Sequence, residues 1–282
     1  MERAMNNYAH PDVLVSTQWL ADHLDDNSIR IVEVDMSPEN HQNTHIPGAM
    51  FWSLMTDLLN HDFSQKLEIN TLEALLSRSG ITAETTVIAY GSYPGTGGWI
   101  FWLLKLLGHK DVRVLNGGHQ KWMSEGRPVT SELANYASTQ YSIAQLDPQL
   151  RIGYDKVLAN LQSPEQVLVD VRTQAEYSGE QFLMQPPKED ERAGHIPDAV
   201  HLEQTLTLNT DGTIKSFDEL TQLYSQHGGT ADKLVVTYCA IGARAGYIWF
   251  VLKCLLGYPN VKNYDGSWNE WSRQPNAPVT QS

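Results

Sequence analysis

The chain has 282 residues, 41% of them hydrophobic, and a formal net charge of -13. That length suits two domains, and the mean hydropathy of -0.36 fits an ordinary globular fold. A pI near 5.1 excludes broad binding to nucleic acid or an anionic membrane surface, and it means that any anion site must be built locally. No run of about 18 apolar residues is present, so no transmembrane helix is expected. Residues 1–7 lack the apolar centre of a signal peptide. The two cysteines, Cys239 and Cys254, have different predicted roles and are not paired. A reducing, cytoplasmic compartment fits this usage.

In chain order, the first strand-like run of the N-terminal half ends at Val32-Glu33-Val34-Asp35, and His45-Ile46-Pro47-Gly48-Ala49 follows. The apolar run Thr86-Val87-Ile88-Ala89-Tyr90-Gly91 predicts a buried strand. An apolar helix is predicted over 99–107, closed by Gly108. Val112–Leu115 then leads into Asn116-Gly117-Gly118-His119-Gln120-Lys121-Trp122. A polar, weakly patterned stretch over 131–150, with Pro148, reads as a linker.

The second half repeats this order. Leu168-Val169-Asp170 matches the first run, and His195-Ile196-Pro197-Asp198-Ala199 matches the His-Ile-Pro segment. Residues 234–239 match 87–91, placing Gly91 opposite Cys239, and Trp271 stands opposite Trp122. One insertion, 179–194, breaks the symmetry and reads as a solvated loop. Strands alternating with helices in both halves predict an α/β protein of two tandem domains, each a mostly parallel sheet with helices on both faces. The domains are expected over 10–130 and 153–278, with the linker at 131–152.

The most informative segment is Cys239-Ala240-Ile241-Gly242-Ala243-Arg244-Ala245-Gly246. The run Leu234–Tyr238 predicts a strand ending at Cys239, and 247–256 predicts a helix, closed by Gly257 with Pro259 beyond. A thiol between a strand end and a helix N-terminus faces free backbone N–H groups and the positive end of the helix dipole, which stabilise a thiolate. In parallel sheets, ligands sit beyond the carboxyl ends of the strands. Amides of Ala240, Ile241, Gly242, Ala243, Arg244 and Ala245 turned inward would form a nest for an anion. Gly242 can take a positive φ there.

These ordered, duplicated motifs resemble the tandem-domain rhodanese (sulfurtransferase) family from about residue 12 to 278. The resemblance rests on both His-Ile-Pro segments, Asp170-Val171-Arg172 with Glu176-Tyr177, the Cys239 loop and Asp265-Gly266-Ser267-Trp268. It looks closest to the thiosulfate sulfurtransferase branch, and it implies an active C-terminal domain beside an N-terminal domain without its cysteine, where Gly91 stands. The implied chemistry is attack by Cys239 on the outer sulfur of thiosulfate, release of sulfite and a persulfide on Cys239. The nest then stabilises the terminal sulfur until cyanide, a thiol or a thioredoxin-like protein accepts it. This chemistry calls for neither a metal nor an organic cofactor, and Cys and His are too sparse near the loop for a zinc site.

Each candidate also has a structural reading. Cys239 could be a buried apolar filler, but its place at a strand end before small residues favours nucleophilic chemistry. Cys254, inside an apolar helix, favours core packing. Arg244 either binds a donor's sulfonate end or ties the loop down through carbonyls or a carboxylate; both readings stand equally. Arg172 and Glu176, four apart, are expected to form a helical ion pair. His45, His195, Asp35 and Asp170 occur in both halves, which favours structural turns, although Asp170 and Arg172 could support the loop. Trp268 could wall the pocket or simply pack.

Several alternatives remain in other functional classes. Mercaptopyruvate sulfurtransferases carry Cys-Gly-Ser-Gly, and Ile241 cannot supply that hydroxyl. Arg244 beside a nest favours the dianion thiosulfate over 3-mercaptopyruvate. A persulfide carrier or relay module would have the same loop chemistry. Cysteine-dependent phosphatases use a strand, a Cys-to-Arg loop and a helix. Here only four residues separate Cys239 from Arg244, one fewer than in the phosphatases, which suits a single sulfur atom rather than tetrahedral phosphate.

Overall fold

The computed structural model describes residues 7–182, 185–189, 191–227 and 231–281. Of the segments singled out above, residues 1–6 at the N-terminus and Leu183, Met184 and Asp190 of the insertion lie outside them. The chain divides into two compact units. One comprises His10–Asp147 and Leu208–Lys215; the other comprises Met1–Ala9, Pro148–Thr207 and Ser216–Ser282.

The first unit is built on a parallel sheet of β1 (Leu14–Val15), β2 (Ile29–Asp35), β3 (Ala49–Ser53), β4 (Thr86–Gly91) and β5 (Val112–Leu115), in the order β1-β5-β4-β2-β3. The central strands are β-branched and apolar because helices cover such a sheet on both faces. Ile29, Ile31, Ile88 and Tyr90 join Trp122 in its core. The second unit has β6 (Gln166–Asp170), β7 (Val200–His201), β8 (Leu234–Tyr238) and β9 (Val261–Asn263), all parallel, in the order β7-β6-β8-β9. Its core joins Leu168, Val236 and Tyr238 to Tyr264, Trp268 and Trp271.

The duplicated motifs make duplicated contacts. Trp122 donates its indole N–H to the Pro128 carbonyl at 2.8 Å, and Trp271 donates to Pro278 at 2.9 Å. His45 exchanges backbone hydrogen bonds with Thr130, as His195 does with Thr280. The hydroxyl of Tyr90 accepts from the Ile46 amide, and that of Tyr238 from Ile196. Pairs of this kind fasten each His-Ile-Pro turn to its strand and to the segment that follows the helix of Trp122 or Trp271.

One segment crosses the expected division of the chain. The turn of Leu208–Lys215 belongs to the first unit. Asn116 accepts there from the Ile214 amide at 2.9 Å, and Lys121 pairs with Asp211 at 2.8 Å. Burial alone would raise the Asp211 carboxyl, but the hydrogen bonds from Lys121 and Thr213 and the Lys121 charge together outweigh it and hold the group down at about 2.

The 179–194 insertion is not simply a solvated loop. Lys188 and Glu189 are exposed, yet Phe182 is buried in the core of the second unit. Arg192 donates to the carbonyls of Gln274 and Ala277. An aromatic anchor and a guanidinium stitched to main-chain acceptors pin the loop at both ends.

The strand end in the first unit has no room for a side chain. A Cβ at Gly91 would lie 2.5 Å from the Val34 carbonyl oxygen and 2.8 Å from the Thr96 Cβ. Gly91→Cys is therefore expected to lower stability by about 1–3 kcal/mol through overpacking. In a Cys239→Ala background it should restore no sulfur transfer. Thermal melting and a cyanide assay check both outcomes; restored activity would show that the first loop can carry a working thiol.

Candidate active site

Cys239 directly follows β8, and its loop is shorter than predicted. The helix begins at Ala243, not at Tyr247, and runs as Ala243–Phe250 before a π-helical turn, Val251–Leu255. Gly242 precedes it in the left-handed conformation, φ 86°, which costs glycine little and other residues much more. Thr237 Oγ1, in β8, donates to the Ala245 carbonyl at 3.0 Å and ties this first turn to the sheet. Arg244 is consequently a helix residue rather than a loop residue. Cys254 is buried in the π-helical turn.

The loop is less open than the sequence suggests. Cys239 is fully buried, and Ala240 is 6% exposed. The Gly242 amide donates to Cys239 Sγ at 3.1 Å. One amide of the expected nest thus addresses the sulfur directly, at the N-terminus of an eight-residue helix. Asn263, at the end of β9, donates its side-chain amide to the Gly242 carbonyl at 3.1 Å and fixes that turn.

A second loop holds the cysteine from its other side. The Cys239 amide donates to Ser267 Oγ at 3.0 Å, and Ser267 Oγ donates to the Tyr264 carbonyl at 2.8 Å. The amides of Trp268 and Asn269 donate to the carbonyls of Cys239 and Ala240, each at 2.9 Å. Ser267 has φ 52°, a conformation that Gly118 shares in the first unit. At that position the first unit lacks the hydroxyl that holds Cys239 here. Composition gives no sign of this contact, but aligning Gly118 with Ser267 across the repeat exposes a hydroxyl present only in the second half. Ser267→Ala leaves the buried Cys239 amide without its acceptor, at a cost of about 1–3 kcal/mol. The expected result is a lower melting temperature and slower sulfur transfer; unchanged values for both would show that the hydroxyl does not position Cys239.

Arg172 and Glu176 do not pair with each other. The helix Gln174–Ser178 starts only after its cap, Thr173, so Arg172 lies outside it and shares no helical face with Glu176. Arg172 folds back on Asp170 with a closest contact of 2.6 Å, both side chains almost fully buried. It also donates to the Gly194 carbonyl at 2.7 Å. Its guanidinium lies 4.7 Å from the centroid of the Trp268 ring. Burial opposes the charge on Arg172, but Asp170 more than restores it, and the pKa ends above its ordinary value. The Trp268 ring is 1% exposed and packs beneath this ion pair, while its amide braces the Cys239 carbonyl.

Glu176 pairs instead with Arg244. The two guanidinium ends meet the two carboxylate oxygens, both at 2.7 Å. Glu176 is 2% exposed on its side chain and Arg244 29%. The Thr173 amide and hydroxyl also donate to Glu176, completing a capping box. Burial alone would raise the Glu176 carboxyl; the hydrogen bonds and charge of Arg244, together with the Thr173 amide and the Arg172 charge, outweigh it and hold it below the ordinary value. Burial likewise opposes the Arg244 charge, which Glu176 and then Cys239 stabilise, so that its pKa is raised. Of the two readings open for Arg244, the geometry realises the carboxylate tie. Arg244 therefore offers no unmatched guanidinium with which to favour a dianionic donor.

Among the described residues, no cluster of three or more His, Cys, Asp or Glu side chains could hold a metal ion, and no helix is long and apolar enough to cross a membrane. The arrangement offers a buried thiol facing a main-chain donor, two satisfied arginine–carboxylate pairs and a rigid two-loop frame. These features suit covalent catalysis at sulfur.

Comparisons with known proteins follow the same line. The model of the rhodanese-like domain matches residues 16–125 and 154–274. The chain is 43% identical over 287 residues to the "Sulfur carrier protein TtuD" of Thermus thermophilus, covering 97% of this chain and 98% of that protein. It is 39% identical over 276 residues to a "Putative thiosulfate sulfurtransferase" of Saccharopolyspora erythraea, covering 95% and 96%. Among solved structures, an EanB variant with a cysteine persulfide and ergothioneine superposes with a TM-score of 0.87 at 25% identity, over 98% of this chain and 72% of that one. The anaerobic ergothioneine biosynthesis enzyme of Chlorobium limicola, with trimethyl histidine bound, gives a TM-score of 0.84 at 26% identity, over 98% and 71%.

Proposed function

This chain belongs to the rhodanese-like domain family in both halves, and on that premise we propose that it transfers sulfane sulfur through a persulfide on Cys239. Relatives named as a sulfur carrier and as a putative thiosulfate sulfurtransferase support this reading. The observation that carries the reading is the amide of Gly242 pointing at Cys239 Sγ at 3.1 Å, at the start of a helix. Thiosulfate is the proposed donor. Cys239 thiolate attacks its outer sulfur, the S–S bond of thiosulfate breaks, sulfite leaves with the bonding pair, and a Cys239–S–S⁻ group remains. The new terminal sulfur is anionic, and the helix N-terminus with its amides stabilises it. A thiol, a thioredoxin-like protein or cyanide then attacks the terminal sulfur and returns Cys239 to the thiolate.

Two findings support sulfur over phosphorus. Arg244, the residue that would clamp a phosphate, has both guanidinium ends on Glu176. Only four residues separate Cys239 from Arg244, one fewer than in the cysteine-dependent phosphatases. Thiocyanate formation from thiosulfate and cyanide, measured beside p-nitrophenyl phosphate hydrolysis, tests the choice. Sulfur transfer without phosphatase turnover is expected; the reverse would overturn the assignment. The relative named as a sulfur carrier favours a second reading of the same chemistry, in which Cys239 relays sulfur between protein partners. A cytoplasmic setting, where thiol acceptors are abundant, fits both readings.

A further inference from the structure

The Arg244–Glu176 pair has a consequence for what the site accepts. Arg244 lies in the first turn of the helix whose N-terminal amide, at Gly242, faces Cys239 Sγ, and its side chain is 29% exposed. It is thus placed to meet a donor entering toward the sulfur. Its charge, however, is already matched. Both ends of the guanidinium are bonded to Glu176 at 2.7 Å. Glu176 cannot readily swing away, because Thr173 grips the same carboxylate from the cap of its own helix. The neighbouring cation, Arg172, is matched in the same way by Asp170. The two arginine–carboxylate pairs therefore add no net charge beside a thiolate, in a chain whose overall charge is -13. A dianion meets long-range repulsion and gains no compensation from these two arginines.

We propose that Glu176 is the specificity-determining residue of this site: by occupying Arg244 it disfavours dianionic sulfur donors and tunes the site to donors of low charge, organic persulfides in particular. The inference rests on the Cys239 persulfide reading. With an organic persulfide RSSH, Cys239 thiolate attacks the terminal sulfur. The S–S bond of the donor breaks, RS⁻ leaves with the bonding pair, and the proton stays on the sulfur now bonded to Cys239. No oxidant or reductant is consumed. Nothing in this step requires a free guanidinium. Thiosulfate remains a donor, used at a high KM.

The test is Glu176→Gln, which keeps the size of the side chain and an oxygen able to accept from the Thr173 amide, while freeing the positive charge of Arg244. Full-length wild type and variant are compared for KM and kcat with thiosulfate and with an uncharged-chain alkyl persulfide, which carries at most one negative charge. A new charge-assisted hydrogen bond from Arg244 to a dianion should lower the thiosulfate KM by about tenfold. The alkyl persulfide KM should change much less, and sulfate should become a stronger competitive inhibitor. An unchanged or raised thiosulfate KM, with folding confirmed by circular dichroism, overturns the proposal. Should the variant not fold, the wild type decides alone. Its kcat/KM for the alkyl persulfide should exceed that for thiosulfate by about tenfold or more, the worth of one such hydrogen bond, and a preference for thiosulfate overturns the proposal. If Cys239 acquires sulfur from neither donor, the persulfide reading itself has failed; if it acquires sulfur without these preferences, only the role of Glu176 has.

Discussion

Replacing Cys239 by alanine or serine is expected to reduce sulfur transfer by more than about a thousandfold, the scale on which removal of a nucleophile acts. The two substitutions separate chemistry from structure. Cys239 is fully buried, and its sulfur accepts the Gly242 amide. Alanine leaves that amide without its partner and should lower stability by about 1–2 kcal/mol. Serine retains an acceptor and should melt closer to wild type, yet a hydroxyl is far too weakly acidic to supply the nucleophile near neutral pH. Both variants should therefore be inactive in a thiosulfate and cyanide assay while their melting temperatures differ. Substantial residual activity in either would remove Cys239 from the chemistry.

Arg172→Ala is expected to have the largest effect on stability. Arg172 and Asp170 are 1% and 0% exposed on their side chains and meet at 2.6 Å. Asp170 ends β6, and its carboxylate also accepts from the Arg172 amide at 3.0 Å. Removing the guanidinium leaves a carboxylate sealed from water without its counter-charge. It also removes the cation lying over the Trp268 ring and the donor to the Gly194 carbonyl. Breaking a buried pair from one side costs about 3–5 kcal/mol. The removed cation also supports Trp268, whose amide holds the Cys239 carbonyl. Activity should thus fall with stability. Chemical denaturation with an assay at low temperature checks both, and a loss of less than about 1 kcal/mol, the worth of an exposed pair, would show that Asp170 is otherwise compensated.

The parts of the molecule written in contiguous residues could be read in advance. Apolar β-branched runs ended at Gly91 and Cys239, and both are where parallel strands finish and a loop leads to a helix. The repeat was legible because Trp122 and Trp271, or His45 and His195, make the same contacts in each half. The helix starts earlier than its apolar run predicts because Ala243, Arg244 and Ala245 lie outside that run and Gly242 caps them with a positive φ. Spacing alone predicts an Arg172–Glu176 pair, and spacing fails when a cap such as Thr173 stands between the partners. The true pairs could not be found this way for opposite reasons. Arg244 and Glu176 are 68 positions apart, a contact that only the tertiary fold makes. Arg172 and Asp170 are two apart, and a side chain folding back over one turn of backbone leaves no periodic trace. The Leu208–Lys215 turn, which sits in the first unit, is the counterpart of residues 59–66; Leu59-Asn60-His61-Asp62 and Leu208-Asn209-Thr210-Asp211 carry that signal in plain sight.

Intact-mass spectrometry of the full-length protein after incubation with thiosulfate tests the central claim most directly. The predicted result is one added sulfur, mapped to the peptide containing Cys239, absent from Cys239→Ala and discharged by cyanide with stoichiometric thiocyanate. Sulfur found on Cys254, or turnover to thiocyanate with no sulfur ever detected on Cys239, would contradict it.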